Sequence, residues 1–205
     1  MRQRWMRTAL ACAGIGVLGS CLAAAQTDVG ASLYGAFSES TSGGGTVQSP
    51  ANGAGGMIEL RHISHPLVGF EATYSYNRAN QRYFEPVSCG EICNTQPAQS
   101  VSANAHEITA DYVASLKIAN LRPFALAGGG VLFHQPSSGQ SDTNSATSAV
   151  FVYGAGLDWG LLPHFGLRLQ YRGNLYKAPD LTKVFTSTDA FTHTAEPMVG
   201  LYLRL

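Results

Sequence analysis

Acidic and basic side chains recur at even separations within short segments of this chain: Glu59 with Arg61, Glu107 with Asp111, Arg168 with Arg172, and singly Glu71 and Asp158. Carboxylates held close together can run general acid/base chemistry. They can also line a pore, or pair with cations as a packed plug. Here the arginines, with Lys117, would hold the carboxylates ionised and leave no obvious proton donor, so a mutually neutralising network is the favoured reading, with a narrow pore and a catalytic site as its rivals. Histidines stand at 62, 65, 106, 134, 164 and 193. His62-Ile63-Ser64-His65 has ligand-like spacing, but it sits beside Pro66 at an expected turn and lacks a third ligand. His106 with Ser102, or His193 with Ser187, could form part of a Ser/His/acid hydrolase arrangement, but each is one of many pairs in a Ser-rich chain. Gly43-Gly44-Gly45 and Gly128-Gly129-Gly130 lack the Lys-Ser/Thr that completes a phosphate loop. No cofactor is implied.

The elements that must position these groups follow period two. From Val68 to Asn77, Val68, Phe70, Ala72, Tyr74 and Tyr76 alternate with Gly69, Glu71, Thr73, Ser75 and Asn77, the pattern of a strand with one apolar face. His106 to Lys117 and Phe165 to Arg172 repeat it, and Val150 to Trp159 sets aromatic and aliphatic residues against Gly, Val and Asp158. Glu59 and Arg61 oppose Ile58 and Leu60. Val29 to Ser38 is Gly/Ala-rich and alternates more weakly. Pro123 to Phe133 is apolar on both faces, so its inward side is not assigned. Val199, Leu201, Leu203 and Leu205 share one face up to the last residue. The spacing predicts eight strands at 28–39, 53–64, 67–78, 102–117, 122–134, 147–159, 164–177 and 193–205. Long polar connections at 40–52, 79–101, 135–146 and 178–192 alternate with short ones at His65-Pro66, Ile118 to Leu121 and Gly160 to Pro163.

Composition narrows the class. Of 205 residues, 45% are hydrophobic and 13% charged, with 13 Lys+Arg against 13 Asp+Glu. Soluble domains carry about twice that charge, and no basic cluster suited to nucleic acid occurs beyond the first seven residues. Arg2, Arg4 and Arg7 precede an uncharged run from Thr8 to Ala25 that ends in three alanines. Residues 1–25 are therefore read as a secretory signal peptide cleaved before Gln26, leaving 26–205 as one domain. The competing readings are an uncleaved anchor, and lipid attachment at Cys21 after Leu18-Gly19-Ser20. After residue 26 no apolar run could span a bilayer as a helix, so membrane insertion requires a closed sheet. Cys89 and Cys93 then lie in an exported chain, where a local disulfide is the leading reading; a metal pair would need further ligands.

These features predict an all-β fold: an eight-stranded antiparallel transmembrane up-and-down β-barrel with long extracellular loops and short periplasmic turns. The outward aromatics Tyr74, Tyr76, Tyr112, Phe151, Tyr153, Trp159, Phe165 and Tyr171 would form interface girdles. An interior of eight strands is about wide enough for side chains to fill, which suits the plug. A soluble barrel would place the apolar face inside.

With its signal sequence, strand count, loop asymmetry and segments such as Leu121-Arg122-Pro123-Phe124-Ala125-Leu126-Ala127-Gly128-Gly129-Gly130 and Gly154-Ala155-Gly156-Leu157-Asp158, the chain resembles small outer-membrane β-barrels of the OmpA/OmpX type. The resemblance spans residues 27–205, although Leu205 stands where the family usually has an aromatic residue. It implies residence in the outer membrane of a Gram-negative bacterium, contact with its lipid and lipopolysaccharide, and assembly by the barrel-assembly machinery and periplasmic chaperones. The chain is read as monomeric and non-enzymatic, serving envelope integrity or surface interaction. Its rivals are a lipid A-modifying enzyme and a narrow pore.

Overall fold

Alternation of apolar and small or polar residues gives strands with two chemically distinct faces, and the chain closes them into a cylinder. The computed structural model describes residues 26–65, 67–85 and 98–205. Its strands are β1 (Gln26–Ser38), β2 (Thr41–Gly43), β3 (Thr46–Pro50), β4 (Gly53–Ile63), β5 (Val68–Arg78), β6 (Gln81–Phe84), β7 (Ala98–Val101), β8 (Ala103–Ser115), β9 (Leu121–Pro136), β10 (Ala146–Leu162), β11 (Phe165–Lys177) and β12 (Phe191–Arg204). Eight of them form a closed antiparallel barrel in the order β1-β12-β11-β10-β9-β8-β5-β4. The register of β1 on β12 runs from Asp28 opposite Arg204 to Ser38 opposite Thr194, so the last strand removes the free edge of the first. Among the described residues no helix is long and apolar enough to cross a membrane.

The apolar face points outward. Leu33, Ile58, Phe70, Tyr112, Phe151, Leu169 and Leu201 are all exposed, whereas Glu59, Arg61, Glu71, Asp111 and Arg172 are buried. This polarity is the inverse of a soluble barrel. On the described barrel strands, charged Asp, Glu, Lys and Arg side chains are exposed only at the loop-end positions Arg78 and Lys177. The outward band therefore matches a hydrocarbon environment.

Several boundaries and one charge differ from the sequence expectations. Strand β10 continues to Leu162 through a register shift between Gly160 and Leu162, so the turn shrinks from Gly160–Pro163 to Pro163 and His164. Lys117 lies beyond β8 and is exposed rather than inside the lumen; its position past the last ladder pair leaves it free to reach solvent. His62 belongs to strand β4 rather than to the turn. Strand β9, unassigned from sequence, turns Arg122, Phe124, Leu126, Leu132 and His134 inward.

The long connections are more ordered than their polarity suggested. Strands β2, β3, β6 and β7 make a second sheet in the order β2-β3-β6-β7 above the barrel. Tyr83, Val101, Ala103, Leu181 and Phe185 form an apolar cluster beneath it. Tyr83 anchors the last long connection twice, its hydroxyl donating to the Pro179 carbonyl at 2.8 Å and accepting from the Leu181 N–H at 3.2 Å. Burial pushes the Tyr83 phenol above its usual range. Because the folded value is raised, this contribution is complete below the unfolded tyrosine value of about 10 and is lost as pH climbs past it. Tyr83→Phe strands the Leu181 N–H and leaves the Pro179 carbonyl to Gln48 Nε2 alone, at a cost of about 1 to 3 kcal/mol. Amide exchange at Leu181 should accelerate correspondingly while barrel-strand amides stay protected; equal acceleration throughout the barrel would show that the cap is not a separate unit.

Candidate functional site

The inward positions of five strands converge on one ion-pair network. The β10–β11 register sets Asp158 opposite Arg168, and the β4–β5 register sets Arg61 opposite Glu71. Arg168 grips Asp158 with two bonds, Nε to Oδ1 at 2.7 Å and Nη2 to Oδ2 at 3.1 Å. The same guanidinium bonds Glu59 across the lumen and approaches Glu71 at 3.6 Å. Arg61 donates from Nε to Glu71 at 2.6 Å and from Nη1 to Asp158 at 3.1 Å. Ser32 donates to the other Glu59 oxygen at 2.8 Å. This layer therefore has alternating charges, with Glu59 and Asp158 each bonded through both oxygens, while Glu71 Oε1 has no hydrogen-bond partner among the described residues. In a pair bonded this way each partner replaces part of the other's lost hydration.

Toward the loop end, Arg172 stands among Asp111 at 3.5 Å, Glu107 at 3.6 Å and Glu71 at 3.8 Å, and its Nη2 donates to Thr109 at 3.1 Å. Asn174 donates to Glu107 at 3.0 Å. Of the nine charged residues singled out from the sequence, all but Lys117 thus meet inside the barrel. Three others were missed. Glu196 is directly opposite Arg172, and Asp28 and Arg122 are also buried. The signal for Glu196 was present, since it has the opposite parity to Val199, Leu201 and Leu203. Arg122 was hidden because β9 has apolar residues on both faces.

Aromatic residues complete the filling. The Phe124 ring lies under the Arg61 guanidinium at 3.9 Å from its centroid, a desolvated cation–π contact. Gly156 makes room for that ring: a Cβ there would come within 2.5 Å of it. Gly30 similarly leaves space where a Cβ would lie 2.8 Å from Glu59 Oε2. Glycines on the inward face thus let long charged side chains cross a narrow interior.

The candidate catalytic and metal pairs are not assembled. His106 Nδ1 bonds the Tyr74 hydroxyl at 2.9 Å on the outer wall, while Ser102 uses its backbone to hold Gln140. His193 Nε2 bonds the Tyr153 hydroxyl at 2.9 Å, and Ser187 Oγ accepts from the Asp189 N–H at 3.3 Å. His62 Nδ1 is paired with the Thr27 hydroxyl at 2.9 Å. Among the described residues, no group of three or more His, Cys, Asp or Glu side chains is arranged to hold a metal ion. Cys89 and Cys93 lie outside the described residues, as do residues 1–25.

An eight-stranded barrel with an apolar outer wall and a charged interior defines the class of small membrane β-barrels. The chain belongs to the outer membrane protein beta-barrel domain family, whose model matches residues 9–200. No curated protein matches it significantly. Solved structures share the fold at low identity. Neisserial surface protein A is 15% identical with a TM-score of 0.56, covering 86% of this chain and 96% of that one. OprG of Pseudomonas aeruginosa is 10% identical with a TM-score of 0.55, covering 89% and 96%. The attachment invasion locus protein Ail of Yersinia pestis, solved with the heparin analogue sucrose octasulfate, is 18% identical with a TM-score of 0.52, covering 89% and 99%. The protein is an integral outer-membrane β-barrel of a Gram-negative envelope.

Proposed function

We propose that this protein is a non-enzymatic outer-membrane barrel whose interior is a structural plug and whose loop end is an interaction surface supporting envelope integrity or contact with other molecules. The observation that carries the reading is the burial of Arg61, Arg168 and Arg172 in a mutually bonded carboxylate network around Phe124. A conducting lumen needs water along its axis, whereas this one is occupied by buried, ion-paired side chains. The ordered sheet of β2, β3, β6 and β7 offers a shaped surface at the loop end. The names of Neisserial surface protein A and of Ail, an attachment invasion locus protein, accord with a surface role.

Purified barrel inserted in planar bilayers should give no steady conductance, although it should migrate anomalously on gels until boiled. A stable ohmic step would replace the plug with a pore. A changed lipid A mass on expression would replace the non-enzymatic reading with catalysis.

Export through a Sec-type signal peptide, assembly by the barrel-assembly machinery with periplasmic chaperones, a monomeric state, and a Cys89–Cys93 disulfide complete the reading. Mass spectrometry of the mature protein should find an N-terminus within a few residues of Gln26 and both cysteines resistant to alkylation until reduced. Cys→Ser at both should leave the barrel folded, since the flanking strands β6 and β7 belong to the second sheet and not to the barrel wall. A retained Met1, a lipid mass on Cys21 or freely alkylated thiols would overturn these assignments.

A further inference from the structure

The end of the barrel opposite the loops carries a second charged site, which adjoins the central network at Asp158. A cavity of about 330 Å³ opens there, lined by Lys117, Asn120, Arg122, Asp158, Tyr202 and Arg204. Its carboxylates are already engaged. Asp158, opposite Arg122 in the β9–β10 register, gives both oxygens to Arg61 and Arg168. Asp28 receives the Gln26 amide on both oxygens at 2.7 Å. The arginines keep unbonded N–H groups. Arg122 is only 7% exposed, yet its Nη1 has no hydrogen-bond partner among the described residues. Arg204 Nε is likewise unbonded, lying 3.7 Å from Asp28, too far for a hydrogen bond. Lys117 stands exposed at the rim.

The frame around these donors is held in place before anything binds. The Gly160 N–H donates to the Asn120 carbonyl at 2.8 Å, tying the end of β10 to the β8–β9 turn. Ile118 and Leu121 exchange backbone bonds at 2.8 and 2.9 Å across the latter. The Arg204 N–H donates to the His164 carbonyl at 2.8 Å. A buried guanidinium with a free N–H costs free energy unless a partner arrives, and the planar fork of arginine matches an oxyanion.

We propose that this mouth is an oxyanion-binding site, with Arg122 as its buried anchor, Arg204 as the second donor and Lys117 as the rim charge. The ligand is a carboxylate or phosphate group presented from the turn side of the barrel. Neither a pore nor a plug requires this site, so the inference is independent of the lumen's role. The test is an NMR titration of the membrane-embedded protein with acetate, with inorganic phosphate and with chloride at matched ionic strength. Saturable shifts confined to the amides of Asn120, Leu121, Arg122, Gly160, Tyr202 and Arg204 are expected with an oxyanion and not with chloride, and the acetate and phosphate arms identify which group is taken. Arg122→Gln should weaken binding about tenfold or more, the loss of a charge-assisted bond. Should that variant not fold, Arg122→Lys, which keeps charge without the fork, and Lys117→Gln, at an exposed position outside the strands, should each weaken it measurably. Shifts equal to those with chloride, or unchanged affinity in every folded variant, would overturn the proposal.

Discussion

Arg168→Ala should destabilise the barrel by about 3 to 5 kcal/mol, read as a lowered denaturant midpoint in a reversible lipid or detergent system. The size follows from what the side chain leaves behind. Asp158 would lose its bidentate partner and Glu59 its cross-lumen bond, leaving Arg61 as the one arginine still hydrogen-bonded to Asp158. Much of the loss is thus the penalty of unpaired charge, and it should be partly recovered in a double mutant. Asp158→Ala combined with Arg168→Ala should cost less than the sum of the single changes, because removing both partners deletes the stranded charge along with the bond. Asp158 also holds Arg61, so recovery should be incomplete. Additive losses would mean that the two groups are solvated rather than coupled. An unchanged midpoint in Arg168→Ala, accompanied by new channel conductance, would mean that the arginine lines a water path.

Leu169→Arg and Gln170→Arg, adjacent in β11, should separate widely. Leu169 faces outward between Leu157 and Val199 in the ladder, in the apolar band. A cation there costs roughly 2 to 4 kcal/mol when it falls near the bilayer midplane. Gln170 faces inward and is buried, and both polar atoms of its side-chain amide lack partners. An arginine at 170 would enter an interior already rich in carboxylates, where Arg172 alone faces Glu107, Asp111 and Glu196. Its expected cost is therefore the smaller, set by packing volume. Equilibrium unfolding of both variants in the same lipid checks the order. Equal costs, or a costlier Gln170→Arg, would contradict the outward placement of Leu169.

The contrast between these neighbours explains how much was legible before the fold was known. Period-two alternation is a local property, so the polar faces of β4, β5, β8, β10 and β11 could be read residue by residue, together with the charges on them. The last strand carries the same information, since Glu196 has the opposite parity to Val199, Leu201 and Leu203. Alternation by itself does not say which face is inside. Outward aromatics and small inward residues argued for a membrane barrel, and the burial of the charged face accords with that argument. Strand β9 lacked any local signal, because Phe124, Leu126 and Leu132 fill the lumen as apolar residues while Leu121, Val131 and Phe133 stand exposed on the other face.

Sequence by itself determined the number of barrel strands, the alternation of long and short connections and the set of charges sharing one face, since each depends on residue order within a few positions. Tertiary structure alone decided which charge meets which. Arg168 reaches Glu59 through barrel closure, a contact between residues more than a hundred positions apart, and β1 completes the wall by pairing with β12. It also decided the order in the long connections, where Tyr83, Val101 and Leu181 become a buried cluster only because separate loops fold over the same barrel end. The physical reason is the same in each case. Side-chain parity is written in the local chain, whereas ion-pair partners and loop packing depend on closure, which brings distant segments within a few ångströms of one another.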